Sequence, residues 1–249
     1  MTISTSTLMV GGVSWGLGAP WPSKSAGARS KASIRISWID ARVRILVAMR
    51  KAILHLKKAD PVLGVVIERV GAYRIEYRDP DFQTLVRSIV YQQLSGKVAR
   101  VIFNRLAALL PEGQITPEAL LKLTPAKMRR AGLSKQKTAY IRDLARKTVR
   151  GKVQFETLAK LADHEVIEHL TQVKGIGVWT AHMFLIFALR RPDVLPTGDL
   201  GVRSAIRKVY GLEELPHPKQ VEELAASWRP YCSVASWYLW RSLENQAAL

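Results

Sequence analysis

Residues 170–181 read Leu-Thr-Gln-Val-Lys-Gly-Ile-Gly-Val-Trp-Thr-Ala, two glycines one residue apart between apolar runs. Each flanking run has helix-like character, so residues 173–177 must reverse the chain within a few residues. Glycine reaches positive φ without steric cost and admits a close neighbour, backbone or ligand. The second run then opens with N–H groups that have no helical acceptor, at the positive end of a helix dipole, and that setting suits a phosphate. Thr180 and Ala181 are small enough for the second run to sit close to the first. Asp199 follows 22 positions after Gly177, in Leu-Pro-Thr-Gly-Asp-Leu-Gly at 195–201. That interval accommodates one helix and a return loop.

The charge balance fits a phosphate-bearing partner. Across 249 residues there are 38 Lys+Arg against 20 Asp+Glu, a net charge of +18. Such an excess favours a polyanion, nucleic acid first and an anionic membrane second. Residues 1–48 hold six Lys/Arg and one acid, and removing that +5 from +18 still leaves +13. Hydrophobic residues make up 48% and charged residues 23%, the mix of an ordinary globular chain. Cys232 is the single cysteine, which excludes an internal disulfide and any all-cysteine metal site within one chain. No run of 18 apolar residues is present to span a bilayer. His164, His169, His182 and His217 show no metal-ligand spacing with cysteines or acids.

Residues 1–33 are rich in Ser, Gly, Thr and Ala without a regular period, and residues 1–48 read as a disordered extension with Met49 as the natural beginning. From residue 49 onward helical signals dominate. Residues 52–70 read as one helix and residues 73–77 as a short extended piece. Asp79-Pro80 opens a helix that carries Phe82, Leu85, Val86, Ile89 and Val90 on one face. Gln92-Gln93-Leu94-Ser95-Gly96 interrupts it, and Val98, Ile102, Leu106 and Leu109 line the next. Thr116-Pro117 and Thr124-Pro125 each pair a capping residue with a first-turn proline. Gly132 suits a helix stop and Ser134 the following cap. A long basic helix covers 135–150, Asp163 suits the cap of the helix leading into the glycine turn, and further helices cover 199–210, 218–228 and 230–245. No alternating strand pattern and no internal repeat emerges. The expected fold is all-α, with about ten helices joined by short loops.

Several separated blocks occur in an order that resembles the helix–hairpin–helix DNA glycosylase superfamily, and within it the alkylation-repair branch, 3-methyladenine DNA glycosylase II. They are Leu170-x-x-Val-x-Gly-Ile-Gly-x-Trp-Thr-Ala181, then Pro192-Asp-Val194 and Asp199-Leu-Gly-Val-Arg203. Arg87-Ser-Ile-Val-Tyr-Gln-Gln-Leu-Ser95, Ala131-Gly-Leu-Ser-Lys-Gln-Lys137, Trp228-Arg-Pro-Tyr and Ser236-Trp-Tyr-Leu-Trp240 complete the set. The resemblance covers residue 49 to the end and implies a two-lobed helical bundle with a cleft between the lobes. The extra N-terminal sheet domain of some members has no counterpart, since residues 1–48 are too short and irregular for it.

Carried over by position, the resemblance implies that Asp199 is the catalytic aspartate. Breaking an N-glycosidic bond builds positive charge on the sugar, and a nearby carboxylate stabilises it and orients or deprotonates the attacking water. Asp199 also stands where it would cap the helix after it. Superfamily members with lyase activity place a lysine at the position of Trp179, where it forms a Schiff base; tryptophan here implies a hydrolytic, monofunctional enzyme. Trp179 and Trp240 match aromatic positions of the base pocket, where an electron-rich face favours a cationic alkylated base; as core residues they would have no such role. Met183, where some relatives have an aromatic, and Gln92 complete that pocket. The base must leave the stack, and Gln93 or Leu94 is the expected plug. Lys174, Gly175, Ile176, Gly177 and Thr180 are the expected DNA-backbone contacts. Backbone carbonyls of Thr171, Val173 and Ile176 are the expected seat of a structural Na+ or K+, with no cofactor needed for catalysis. The basic residues Arg129, Arg130, Lys135, Lys137, Arg142, Arg146 and Lys147 either track phosphates or form a solvated face. The expected protein is a cytoplasmic, nucleoid-associated monomer that excises alkylated purines from double-stranded DNA without touching a membrane. Two alternatives stand beside it: a related glycosylase for another damaged base, and a non-catalytic DNA-binding module that uses the turn as a phosphate clamp.

Overall fold

The computed structural model describes residues 47–244, and the expected disordered extension lies outside them except for residues 47 and 48, which are already helical. Thirteen α-helices and two short 3-10 turns account for the regular structure of the described residues, with no strand among them. The chain divides into two compact units, residues 75–200 and, among the described residues, 47–74 with 201–244. No helix of the described residues is long and apolar enough to cross a membrane.

The second unit begins with α1, residues 47–59, and α2, Pro61–Val70. Residues 52–70 are therefore two helices, not one. Pro61 has no N–H to give to a continuing helix, and Asp60 turns extended, with φ −143° and ψ 96°, so that its Oδ1 accepts the amide of Leu63 at 3.0 Å. The unit resumes with α11, Leu200–Val209, α12, Pro218–Ala225, a 3-10 turn at Ala226–Trp228, and α13, Cys232–Glu244. Its core is tied to the same Asp60. The second carboxylate oxygen accepts from Tyr210 Oη at 2.5 Å and from Trp228 Nε1 at 2.8 Å, and Trp228 is fully buried. Burial, reinforced by the Asp60 carboxylate, pushes the Tyr210 phenol far above its usual range, so it remains a donor. On the other side of the unit, Tyr73 packs on the rings of Trp237 and Tyr238, with centroids 4.6 and 5.9 Å away. Residues 73–77, expected as a short extended piece, form no strand.

The first unit holds α3, Phe82–Tyr91; α4, Gly96–Ala108; α5, Pro117–Lys122; α6, Pro125–Arg130; α7, Lys135–Val149; α8, Phe155–Leu158; α9, Asp163–Thr171; and α10, Val178–Phe187. Ser and Thr caps begin four of them, Thr116, Thr124 and Ser134 as the sequence suggests and Ser95 in addition, and each accepts the amide three residues on. Asp163 departs from expectation. Ala162 is the N-cap, its amide donates to Glu165 Oε2 at 2.7 Å, and Asp163 pairs with Arg191 at 3.4 Å. The four-residue α8 was not foreseen; Phe155 from it lies edge-on between Phe82 and Phe184, each centroid 6.3 Å away. The central rod is α7, which packs against α3, α5 and α6. Thr138, Ile141, Leu144 and Ala145 give it a continuous buried stripe at helical spacing.

Asp60→Ala strands two buried donors and removes a cap, so the urea unfolding midpoint should drop by the equivalent of about 3 kcal/mol or more, against about 1 kcal/mol for Tyr210→Phe. Equal effects of the two substitutions would show that Asp60 does not organise this unit.

Candidate functional site

The glycine turn connects α9 to α10 within the first unit. Its two glycines have different jobs. Gly175 sits at φ +83°, and a Cβ there would meet the Tyr140 ring of α7 at 2.0 Å. The close approach that glycine permits is thus made to a side chain of the protein itself. Gly177 is the N-cap of α10, with φ −96° and ψ 176°, and a Cβ there would meet nothing within 4 Å. Neither conformation nor packing requires glycine at 177; the space in front of it stays open.

Two side chains of α7 bracket the turn. Asp143 Oδ2 accepts the backbone amide of Lys174 at 2.9 Å and the ammonium of Lys147 at 2.6 Å. Lys147 donates in turn to the carbonyl of Gln172 at 2.8 Å. Burial alone would push the Asp143 carboxyl up, but the Lys147 hydrogen bond, the Lys174 amide and the charges of Lys147 and Arg146 outweigh it and hold it below the usual range. The tether is therefore intact at neutral pH, and its contribution to stability is lost as pH falls through that depressed value. A lone acid in an otherwise basic helix was the signal for Asp143, and the sequence reading passed it over.

This arrangement sorts the residues expected to meet a DNA backbone. The amide of Lys174 is spent on Asp143, and the amide of Ile176 donates to Val173 at 3.0 Å. The side chains of Ile176 and Thr180 are buried, so neither can reach a ligand. The Lys174 side chain and Gly177 are exposed. The first backbone bond of α10 runs from the Ala181 amide to the Gly177 carbonyl at 3.1 Å, which leaves the amides of Val178, Trp179 and Thr180 ahead of any helical acceptor. Gly177 supplies no side-chain cap for them.

Beside that helix start lies Asp199. It is 8% exposed, at the end of the loop from α10, and its Oδ2 accepts the indole N–H of Trp179 at 2.6 Å. Trp179 is otherwise 49% exposed, although α10 is apolar all round and mostly buried. A large ring left half in solvent, with its polar edge fixed on a carboxylate, has no packing purpose of its own. Met183, one turn further along α10, is half-buried. Trp240 is half-buried on α13 and belongs to the other unit.

Residues 92–94 lie next to the glycine turn. Gln92 was expected in a base pocket; its Nε2 instead donates to the Gly175 carbonyl at 2.9 Å. The carbonyls of Val90 and Gln92 accept from Lys137 Nζ at 2.8 and 2.6 Å, so Lys137 caps α3. Burial pushes the Lys137 ammonium down from its usual range. Gln93, between these anchors, is exposed and sits at φ +55°, a conformation that costs a non-glycine residue energy. Leu94 is half-buried. Among the described residues no cluster of His, Cys, Asp and Glu is arranged to hold a metal ion.

An open helix start reached through a glycine turn, with a fixed carboxylate and an exposed indole beside it, is the arrangement of a helix–hairpin–helix protein. The chain belongs to the HhH-GPD superfamily of base excision DNA repair proteins, whose profile matches residues 86–230. It is 35% identical over 210 residues to DNA-3-methyladenine glycosylase 1 of Schizosaccharomyces pombe, covering 82% of this chain and 92% of that one. Among solved structures, the Schizosaccharomyces pombe 3-methyladenine DNA glycosylase in complex with abasic DNA superposes with a TM-score of 0.71 at 36% identity, covering 78% of this chain and 97% of that one. A DNA-3-methyladenine glycosidase from Bacillus halodurans gives the same TM-score at 37% identity, covering 79% and 90%.

Gly175→Ala is expected to lower the thermal unfolding midpoint by the equivalent of at least about 2 kcal/mol, through its positive φ and the Tyr140 ring. Gly177→Ala should cost less than about 1 kcal/mol. Calorimetry of the two variants checks this, and equal costs would refute the division of roles.

Proposed function

We propose that this chain is a monofunctional DNA glycosylase of the DNA-3-methyladenine type, acting in base excision repair on alkylated purines such as 3-methyladenine and 7-methylguanine. The observation that carries it is the Trp179–Asp199 pair, a carboxylate fixed at 2.6 Å by the indole of a half-exposed tryptophan. The relatives support it, since the Schizosaccharomyces pombe relative at 35% identity is named DNA-3-methyladenine glycosylase 1 and the solved 3-methyladenine DNA glycosylase of that organism is bound to abasic DNA.

The chemistry follows from charge. Alkylation at a ring nitrogen makes the purine cationic, so it leaves as a neutral base with the electron pair of the glycosidic bond and needs little general-acid help. The sugar is left with an oxocarbenium-like charge that the Asp199 carboxylate stabilises. Water adds at the anomeric carbon and its proton passes to Asp199 or to solvent. The flipped base rests against Trp179, whose ring prefers a cation to a neutral purine, with Met183 as a further wall and Gln93 or Leu94 filling the gap in the duplex. Gln92 acts by positioning that loop against Gly175. The Lys174 side chain and the amides that follow Gly177 hold the DNA backbone. The carbonyls of Thr171, Val173 and Ile176 are neutral donors that suit Na+ or K+ better than a divalent ion; the Val173 carbonyl already accepts one amide and has one lone pair left. Such an ion stabilises the turn and takes no part in the reaction. The enzyme works as a monomer.

Asp199→Asn should slow release of methylated purines from methylated duplex by roughly 10²–10³-fold or more, with duplex affinity retained. Trp179→Phe, which keeps a ring and deletes the N–H, should give a smaller loss. Chromatography of released bases checks both, and Asn at 199 with the wild-type rate would sink the mechanism.

A further inference from the structure

Seven cations at and around α7 are the residue of basic character that the hairpin site does not use. The structure splits them. Lys137 is held by the Val90 and Gln92 carbonyls, Lys147 by Asp143 and Gln172, and Arg142 by the Leu123 carbonyl at 2.6 Å; Arg146 faces Asp143 at 3.8 Å. Arg129, Arg130 and Lys135 are different. All three are exposed, and together with Gly132, Leu133 and Ser134 they line one open concavity of about 570 Å3 between α6 and α7. No acidic residue lines it. Three like charges drawn to one hollow repel one another unless an anion sits among them.

The turn that carries them repeats the construction of the hairpin. Gly132 has φ +107° where Gly175 has +83°. A buried aliphatic follows each, Leu133 and Ile176, both 4% exposed. An extended N-cap comes next, Ser134 with φ −65° and ψ 161° and Gly177 with φ −96° and ψ 176°, and each opens a long helix. One difference matters. Ser134 Oγ accepts the Lys137 amide at 3.1 Å, so this helix start is partly satisfied from within. An anion here is held by side chains, not by bare amides.

The position is also right. Lys137 touches the Gln92 carbonyl, Gln92 touches the Gly175 carbonyl, and the Tyr140 ring lies beside Gly175. From Ser134 to Tyr140 is six residues of α7, about 9 Å of helix. That equals about two to three base-pair rises along the DNA axis. We propose that the α6–α7 turn is a second seat for the DNA backbone, taking a phosphate between Arg129, Arg130 and Lys135. It rests on the reading that the hairpin holds DNA.

The test compares the full chain with Arg129→Ala/Arg130→Ala/Lys135→Ala and with a control of equal charge loss on exposed lysines elsewhere, Lys152→Ala/Lys160→Ala/Lys208→Ala. Fluorescence anisotropy measures affinity for undamaged and abasic duplexes over a series of KCl concentrations. The α6–α7 variant should bind at least about tenfold more weakly, equally on both duplexes, and its slope of log affinity against log salt should be shallower by about two to three. Lys135→Gln alone, at an exposed position with little folding risk, should make the slope shallower by about one. The control should stay near wild type. Unchanged affinity and slope in the α6–α7 variant, or an equal loss in the control, overturns the second seat while leaving the glycosylase reading intact. Failure of the wild-type chain to bind either duplex overturns both.

Discussion

One carboxylate decides how the site is held. Asp143 stands on the central helix of the first unit and takes the Lys174 amide and the Lys147 ammonium on the same oxygen. Lys147 reaches on to the Gln172 carbonyl, and Tyr140, one turn earlier on α7, fills the space against Gly175. The glycine turn is therefore clamped from below by groups that never face a ligand. What remains open is its outer side: the Lys174 side chain, Gly177 and the unsatisfied amides at the start of α10. Preorganisation of this kind matters for a phosphate site, because donors already in place need not be ordered when the ligand arrives.

The same economy runs through the neighbouring loop. Gln92 joins it to the hairpin and Lys137 joins it to α7, so residues 92–94 are fixed at both ends while Gln93 projects in a strained conformation. In the function proposed for this chain, that strained and exposed residue is the one that fills the gap in the duplex. The hairpin, the 92–94 loop and the start of α7 form one connected framework, and the Trp179–Asp199 pair stands beside it.

Much of this was legible in the residues, and the gaps have physical causes. Ser and Thr caps, first-turn prolines and the Gly132 stop are local signals, and the helices they mark appear where expected. Asp60-Pro61 is an equally local signal, but it splits what looked like one apolar helix, and the value of Asp60 lies in Tyr210 and Trp228, more than a hundred residues away. Long-range pairs of that kind leave no periodicity. The resemblance implied separate roles for Trp179 and Asp199, and their contact was not foreseen, since nothing in spacing brings residue 179 to residue 199. Lys137 and Lys147 read only as phosphate contacts or a solvated face, because charge is visible in sequence whereas the carbonyls that bind them are not. The two similar turns escaped notice because their likeness lies in φ and burial, with only glycine and a following aliphatic in common.

Tryptophan at 179 where a Schiff-base lysine would stand leaves hydrolysis as the route, and that is the claim on which the chemistry depends. The direct measurement is product analysis on a methylated duplex, with and without borohydride. Hydrolysis predicts free methylated purine, an intact strand carrying an abasic site, and no covalent protein–DNA adduct. A borohydride-trapped adduct, or strand cleavage that keeps pace with base release, would contradict it.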